Sequence, residues 1–456
     1  MANKNTLFES MPVGKALASM AIPAIISQLI TTFYNMADTF FIGMSNDPYK
    51  VAAASITGVL FFVMNSLANL FGVGGGSLIS RLMGHKNIKE ARHVCSFSIY
   101  GSLFISFIYS LVCFIFSEPL SILLGASSNT LAYAQSYLLW VVVIGGIPAT
   151  VGVTLSHIIR SLGYSKESSN GLALGGILNV LLDPLFMFVI LPKGNEVTGA
   201  AIATMISNVI TLLYYLYIML KHKDNDILTL SIKDCKVTRE SFFSVFKVGL
   251  PSAISSLLAS TSAIIRNNLT ASYGDIEMAA YGIVTKIDQL PLNIGMGLCQ
   301  GMMPLVAYNY AAKNYPRMKQ FTKAAQTSGM ICAVIFIVIC ELFAPHIISL
   351  FIEDELTTNY GAFFLRIACL ATPFMISNFQ KIYCLQSMGK GGASLLLSVC
   401  RQGVIAIPML FILNAYFQVI GVISAQFISD LITFVVASII YKKIYNDLMK
   451  ESETYA

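Results

Sequence analysis

Apolar runs long enough to cross about 30 Å of hydrocarbon, which takes roughly 20 residues of helix, recur along almost the whole of this chain. Polar punctuation separates them into predicted helices at 16–43, 51–79, 94–116, 131–159, 168–191, 197–220, 246–272, 279–306, 320–344, 358–386, 392–413 and 418–442. Only 11% of the 456 residues are charged and 56% are hydrophobic, so little of the surface can face water. The expectation is an all-α integral membrane protein of twelve transmembrane helices in the lipid bilayer. The first run is longer than a signal-peptide core and has no convincing small-residue cleavage site, so it is expected to remain as the first span.

The net charge of +6 resides in short interhelical loops and forms no stripe or tail, which argues against a nucleic-acid partner. The Lys and Arg outside the spans concentrate in the termini and in every second loop, whereas the alternate loops hold Lys50 and Lys193 alone. The positive-inside rule then places both termini in the cytoplasm. The nine cysteines lack metal-ligand spacing and lie almost all within apolar runs, so reduced, buried thiols are expected.

The longest polar stretch divides the chain after six helices, giving a first lobe at 1–220, a linker at 221–245 and a second lobe at 246–456. The halves align. Ala21-Ile22-Pro23 falls on Gly249-Leu250-Pro251, Gly74 on Gly301, and Lys86-Asn87 on Lys313-Asn314. Both six-helix units start on the same side, so the pseudo-twofold axis runs along the membrane normal, as in transporters built from parallel repeats.

Enzyme signatures are absent: no strand precedes Gly72-Val73-Gly74-Gly75-Gly76-Ser77, no Walker lysine follows a glycine run, and the five histidines are scattered. The ionisable residues within spans therefore become the candidates for chemistry. At 1.5 Å of rise per residue, Asp38, Asp183 and Thr204 lie roughly 8, 12 and 10 Å below the outer surface. Asn179 precedes Asp183 by one helical turn and shares its face. This all-oxygen set suits a proton or a hard cation such as Na⁺, and two carboxylates in one low-dielectric pocket do not both ionise easily. The alternative is that Asp38 snorkels to the interface and Asp183, followed by Pro184, serves a kink.

In the second half, Arg266, Lys286 and Asp288 lie about 9 to 13 Å below the same surface, and Arg266 aligns with Asp38. Two readings remain open for them: a cationic cavity wall that accepts zwitterions or anionic groups, or an internal Arg266–Asp288 ion pair.

The segments "AIPAIISQLITTFYNMADTFFIG", "GVGGGSLISRLMGHKN", "NVLLDPLFMF", "TGAAIAT", "GLCQGMMPLVAYNYAAKNY" and "CRQGVIAIP" together resemble the multidrug and toxic compound extrusion (MATE) transporters, in their DinF-like bacterial branch. The resemblance implies two lobes around a central cavity, alternating access, and export of small organic molecules driven by inward H⁺ or Na⁺, with no other cofactor and with the monomer as the working unit. It also implies that Asp38, Asn179, Asp183 and Thr204 form the cation site and that the first helix bends at Pro23. It departs at Ala259, where other branches carry a glutamate, so a second cation site is not implied. A lipid-linked saccharide flippase of the same superfamily is the competing expectation.

Overall fold

The computed structural model describes residues 2–45, 47–352 and 354–454, and among these the regular structure is helical. A short α1 (Ala2–Glu9) precedes α2 (Val13–Gly43), α3 (Pro48–Gly84) and α4 (Ile88–Ile115). Then come α5 (Ser117–Leu123), α6 (Leu131–Leu138), α7 (Gly146–Ser161), α8 (Ser165–Pro184) and α9 (Glu196–Lys221). The second half holds α10 (Arg239–Ala271), α11 (Asp275–Ala311), α12 (Tyr315–Ser349), α13 (Glu355–Cys369), α14 (Thr372–Ser387), α15 (Gly391–Val399) and α16 (Ala406–Thr454).

Among the described residues nine helical segments are individually long and apolar enough to span a membrane, and two bent pairs, Leu131–Ile144 with Gly146–Ser161 and Glu355–Cys369 with Thr372–Ser387, raise this to 11. The last segment, Gly391–Leu448, has 58 residues, about 87 Å of helix and far too long for one crossing. It turns back on itself at Gln418, whose φ of 53° is left-handed. A Cβ on Gly421 would overlap the backbone of Leu413, which a straight helix would carry about 12 Å away. The fold therefore contains the twelve spans expected.

The helices are packed inside out relative to a soluble bundle. On α4 the serines Ser98, Ser102, Ser106 and Ser110 are buried, while Phe104, Phe107 and Phe114 are more than half exposed. Small hydroxyl residues let helices approach closely, and lipid accepts the aromatic face. Ser102 and Ser106 return their hydroxyls to the carbonyls of Ile99 and Leu103 at 2.8 and 3.0 Å, and Ser110 donates across to Val142 at 3.2 Å.

Several predicted spans are interrupted in ways that their apolar runs conceal. Wide π turns occupy Leu139–Ile144, Leu185–Ile190 and Cys400–Val404, each extending an adjacent α-helix. The segment expected to be a plain linker is tied to α4. Arg92 pairs with Asp234 at 2.9 Å, Ser96 donates to the Ser231 carbonyl and Tyr100 to that of Leu230, and Glu90 accepts from Thr238. Helix α10 then begins at Arg239, before the expected start.

The chain forms two compact units, one built on Ile26–Ala253 and the other on Thr6–Ile25 together with the chain from Ile254 onward. Helices α2 and α10 thus each change unit, and each does so just after a proline within the helix, Pro23 and Pro251. Within the first unit, Gly74 packs on the backbone of Gly249. Within the second, the aligned Gly301 packs on Ala21, where an added Cβ would come within 2.5 Å of the Ala21 Cα. The repeat extends to backbone detail. Lys86 and Lys313 have φ of 58° and 57°, and the following Asn87 and Asn314 each cap the next helix, accepting at 3.2 Å from the amides of Glu90 and Arg317.

Candidate functional site

The first unit brings three of the four predicted site residues into direct contact. Asn179 and Asp183 lie one turn apart on α8, and Thr204 lies on α9. The Asn179 amide donates to Asp183 Oδ1 at 3.1 Å and to Thr204 Oγ1 at 3.2 Å. Both α8 residues are buried, Asp183 completely. Gly199 lets α9 approach, since a Cβ there would meet the Phe186 and Met187 backbone of the π turn at 2.8 to 2.9 Å. Pro184 supplies no N–H, so the helical ladder is already weakened where that turn begins, and π turns of this kind recur at functional sites.

Asp38 reaches the same neighbourhood from α2. Ile30 and Tyr34 lie over Gly176, three residues before Asn179, at a separation that leaves no room for a larger residue. One turn further along α2, Asp38 lies within electrostatic range of Asp183 and of Tyr34 and Tyr137. It makes no hydrogen bond to the other three.

Three oxygens in this group are buried without a hydrogen-bond donor: Asp38 Oδ1, Asp183 Oδ2 and Asn179 Oδ1. An unsatisfied buried acceptor costs about 1–3 kcal/mol, more when charged, so a cluster of three is a standing demand for positive charge. The donor set is hard oxygen throughout. Among the described residues no group of three or more His, Cys, Asp and Glu could hold a metal ion.

The second unit is different. Arg266 donates to Gln426 of α16 at 2.5 Å, and among the described residues no contact ion pair joins it to Asp288, although the two lie within electrostatic range of each other. Lys286 is exposed. The buried charge here is a pair that inspection of the sequence did not single out, Arg401 with Asp430, bonded at 2.5 and 3.3 Å with both side chains at most 4% exposed. Gln426 and Asn378 also donate to the Asp430 carboxylate, at 2.7 and 3.3 Å, and Arg401 stacks over Phe379 with its charge 4.3 Å from the ring centre. Asp430 stands alone as an acid in the run 418–442, and that was the signal available.

A family model, MatE, matches the chain twice, over residues 23–185 and 251–412. The chain belongs to the MatE family. Its members are membrane transporters of small molecules rather than enzymes, and the double match is the repeat seen in the glycine contacts and caps. The chain is 33% identical over 433 residues to the multidrug export protein MepA of Staphylococcus aureus (strain MRSA252), covering 95% of this chain and 94% of that protein. In fold it matches the outward-facing conformation of a multidrug resistance MATE family transporter, with TM-score 0.92 at 23% identity over 99% of each chain. It also matches a superfamily transporter from Pyrococcus furiosus described as having a binding pocket of reverse polarity, with TM-score 0.89 at 22% identity over 98% of each. These two likenesses concern the fold, which is that of MATE transporters with twelve spans in two lobes.

Proposed function

We propose that this MatE protein is a secondary antiporter that exports organic, mainly cationic and also zwitterionic, drugs or toxic metabolites by alternating access, driven by inward H⁺ or Na⁺. The observation that carries this reading is the trio of donorless oxygens on Asp38, Asp183 and Asn179, with Thr204 beside them. The likeness to MepA, a multidrug export protein, supports drugs as substrates.

In this reading Asn179 holds the Asp183 carboxylate through Oδ1, which leaves Oδ2 to take a proton or to face a cation, while Asp38 contributes the second charge. A neutral or cation-paired cluster tolerates a dry, closed pocket; a doubly ionised one demands water. Loading therefore biases which conformation is favoured, by as much as the two states differ in affinity for the ion. Pro23 and Pro251 leave carbonyls of α2 and α10 without their helical donors, so both helices can bend where they change unit. The working protein is a monomer in the bacterial cytoplasmic membrane with both termini inside.

A flippase for anionic, lipid-linked substrates is less well supported, because Asp430 neutralises Arg401 within the second unit and, among the described guanidinium groups of that unit, only Arg266 keeps a buried N–H, its Nε, without a partner. The test is ethidium accumulation in cells lacking their own exporters. Wild type should lower accumulation and Asp38→Asn and Asp183→Asn, at equal membrane abundance, should not. Equal efflux by all three would overturn the coupling assignment.

A further inference from the structure

A cavity of about 290 Å³ opens within the second unit between α12, α14 and α16, away from the residues discussed above. Three lysines line it, Lys319, Lys323 and Lys381, and among the described residues no acidic side chain does. Among the described residues none of the three is in an ion pair. Lys381 is the unusual one, since it sits half-buried in a membrane-spanning helix, where an uncompensated cation is costly. Its Nζ donates to Ser438 at 2.8 Å and lies 4.0 Å from the centre of the Phe434 ring, contacts that hold the ammonium in place without neutralising it. Lys319 lies over Tyr445 at 5.6 Å, and the Tyr445 hydroxyl is itself buried with no partner. Gln380, also in the wall, is 6% exposed.

We infer that this cavity binds the phosphate headgroup of an anionic phospholipid. Basic pockets between membrane helices on the cytoplasmic side accept such headgroups, and here three lysines and Tyr445 line one mostly apolar cavity with no carboxylate among its described lining residues. The volume suits a phosphoglycerol group, and a lipid's acyl chains would continue into the bilayer along α12, whose Ile331, Val334 and Ile335 are exposed. The inference uses the proposed orientation only to name the leaflet; the ligand chemistry stands without it, and a failed export assay leaves it intact.

The experiment is native mass spectrometry of the detergent-purified full chain with dioleoylphosphatidylglycerol, dioleoylphosphatidylcholine or inorganic phosphate added. Wild type should retain the phosphatidylglycerol adduct about tenfold better than the phosphatidylcholine adduct. Lys381→Met should weaken it roughly fivefold, as should either single Gln substitution of the exposed Lys319 and Lys323, which cannot disturb the core. Equal retention of both lipids, or adducts unchanged in every variant, would overturn the inference. Displacement of the lipid by millimolar phosphate would also overturn it, in favour of a free-anion site.

Discussion

In the first unit, Asp38, Asp183 and Asn179 each keep a buried oxygen with no donor, whereas in the second the Asp430 carboxylate accepts from Arg401, Gln426 and Asn378 together. Both clusters lie in apolar helices of one repeated architecture. The first leaves two carboxylate oxygens without a donor, whereas in the second the carboxylate is engaged on both oxygens and the atoms left without a partner are an amide oxygen, Asn378 Oδ1, and the Nε of Arg266. A closed ion pair gains nothing from a passing ion, while an acceptor surplus changes its energy each time a proton or cation arrives. Duplication therefore supplied the frame twice, and the residues within it separated into a cluster suited to exchange and a cluster suited to holding helices together.

That contrast predicts opposite kinds of damage. The largest stability loss should come from Arg401→Met, which strands the Asp430 charge at a cost of about 3–5 kcal/mol, read as a lower melting temperature in detergent. Adding Asp430→Leu should recover most of it, since a buried pair replaced by apolar groups is often neutral. If the double variant is as unstable as the single, the closed-pair account of the second unit fails. Next in size, Gly301→Ala and Gly74→Ala should each cost about 1–3 kcal/mol through overpacking, with Gly392→Ala, where a Cβ meets nothing, as the silent control. Unequal losses at the two aligned glycines would show that the repeat does not share its packing energetics.

Asp183→Asn should move the melting point by less than about 1 kcal/mol equivalent, because the amide keeps the shape and relieves a donorless oxygen. Transport should nevertheless be lost. The smallest effect concerns the segment bound to α4. The Thr229 hydroxyl and the Arg92 guanidinium hold the Asp234 carboxyl below its usual range. Its contribution is present above the unfolded value near 4 and is lost as pH falls through the lower folded value, so limited proteolysis around 222–238 should quicken only in strong acid. Cleavage that quickens between pH 7 and 5 would contradict this.

Much of the fold was legible because a membrane leaves few choices. Every span must satisfy its own backbone, so apolar runs mark helices, and the turn at Gln418 falls where the last run begins, directly after the break at 414–417. The repeat was legible in Lys86-Asn87 and Lys313-Asn314 because each pair performs the same left-handed step and cap. The π turns were not, since an apolar run such as Leu139–Ile144 reads the same whether its hydrogen bonds close four or five residues back. Equal depth and one-turn spacing were enough to group Asn179, Asp183 and Thr204. Arg401 and Asp430 escaped because their meeting depends on how α16 folds back, which spacing along the chain does not encode.

The most direct test of the central claim is efflux of ethidium from proteoliposomes under an imposed pH gradient and, separately, an imposed Na⁺ gradient. Wild type would be compared with Asp38→Asn and Asp183→Asn at equal reconstitution. The account predicts that at least one gradient drives wild type and neither drives the variants. Gradient-driven efflux that survives in both variants would contradict it.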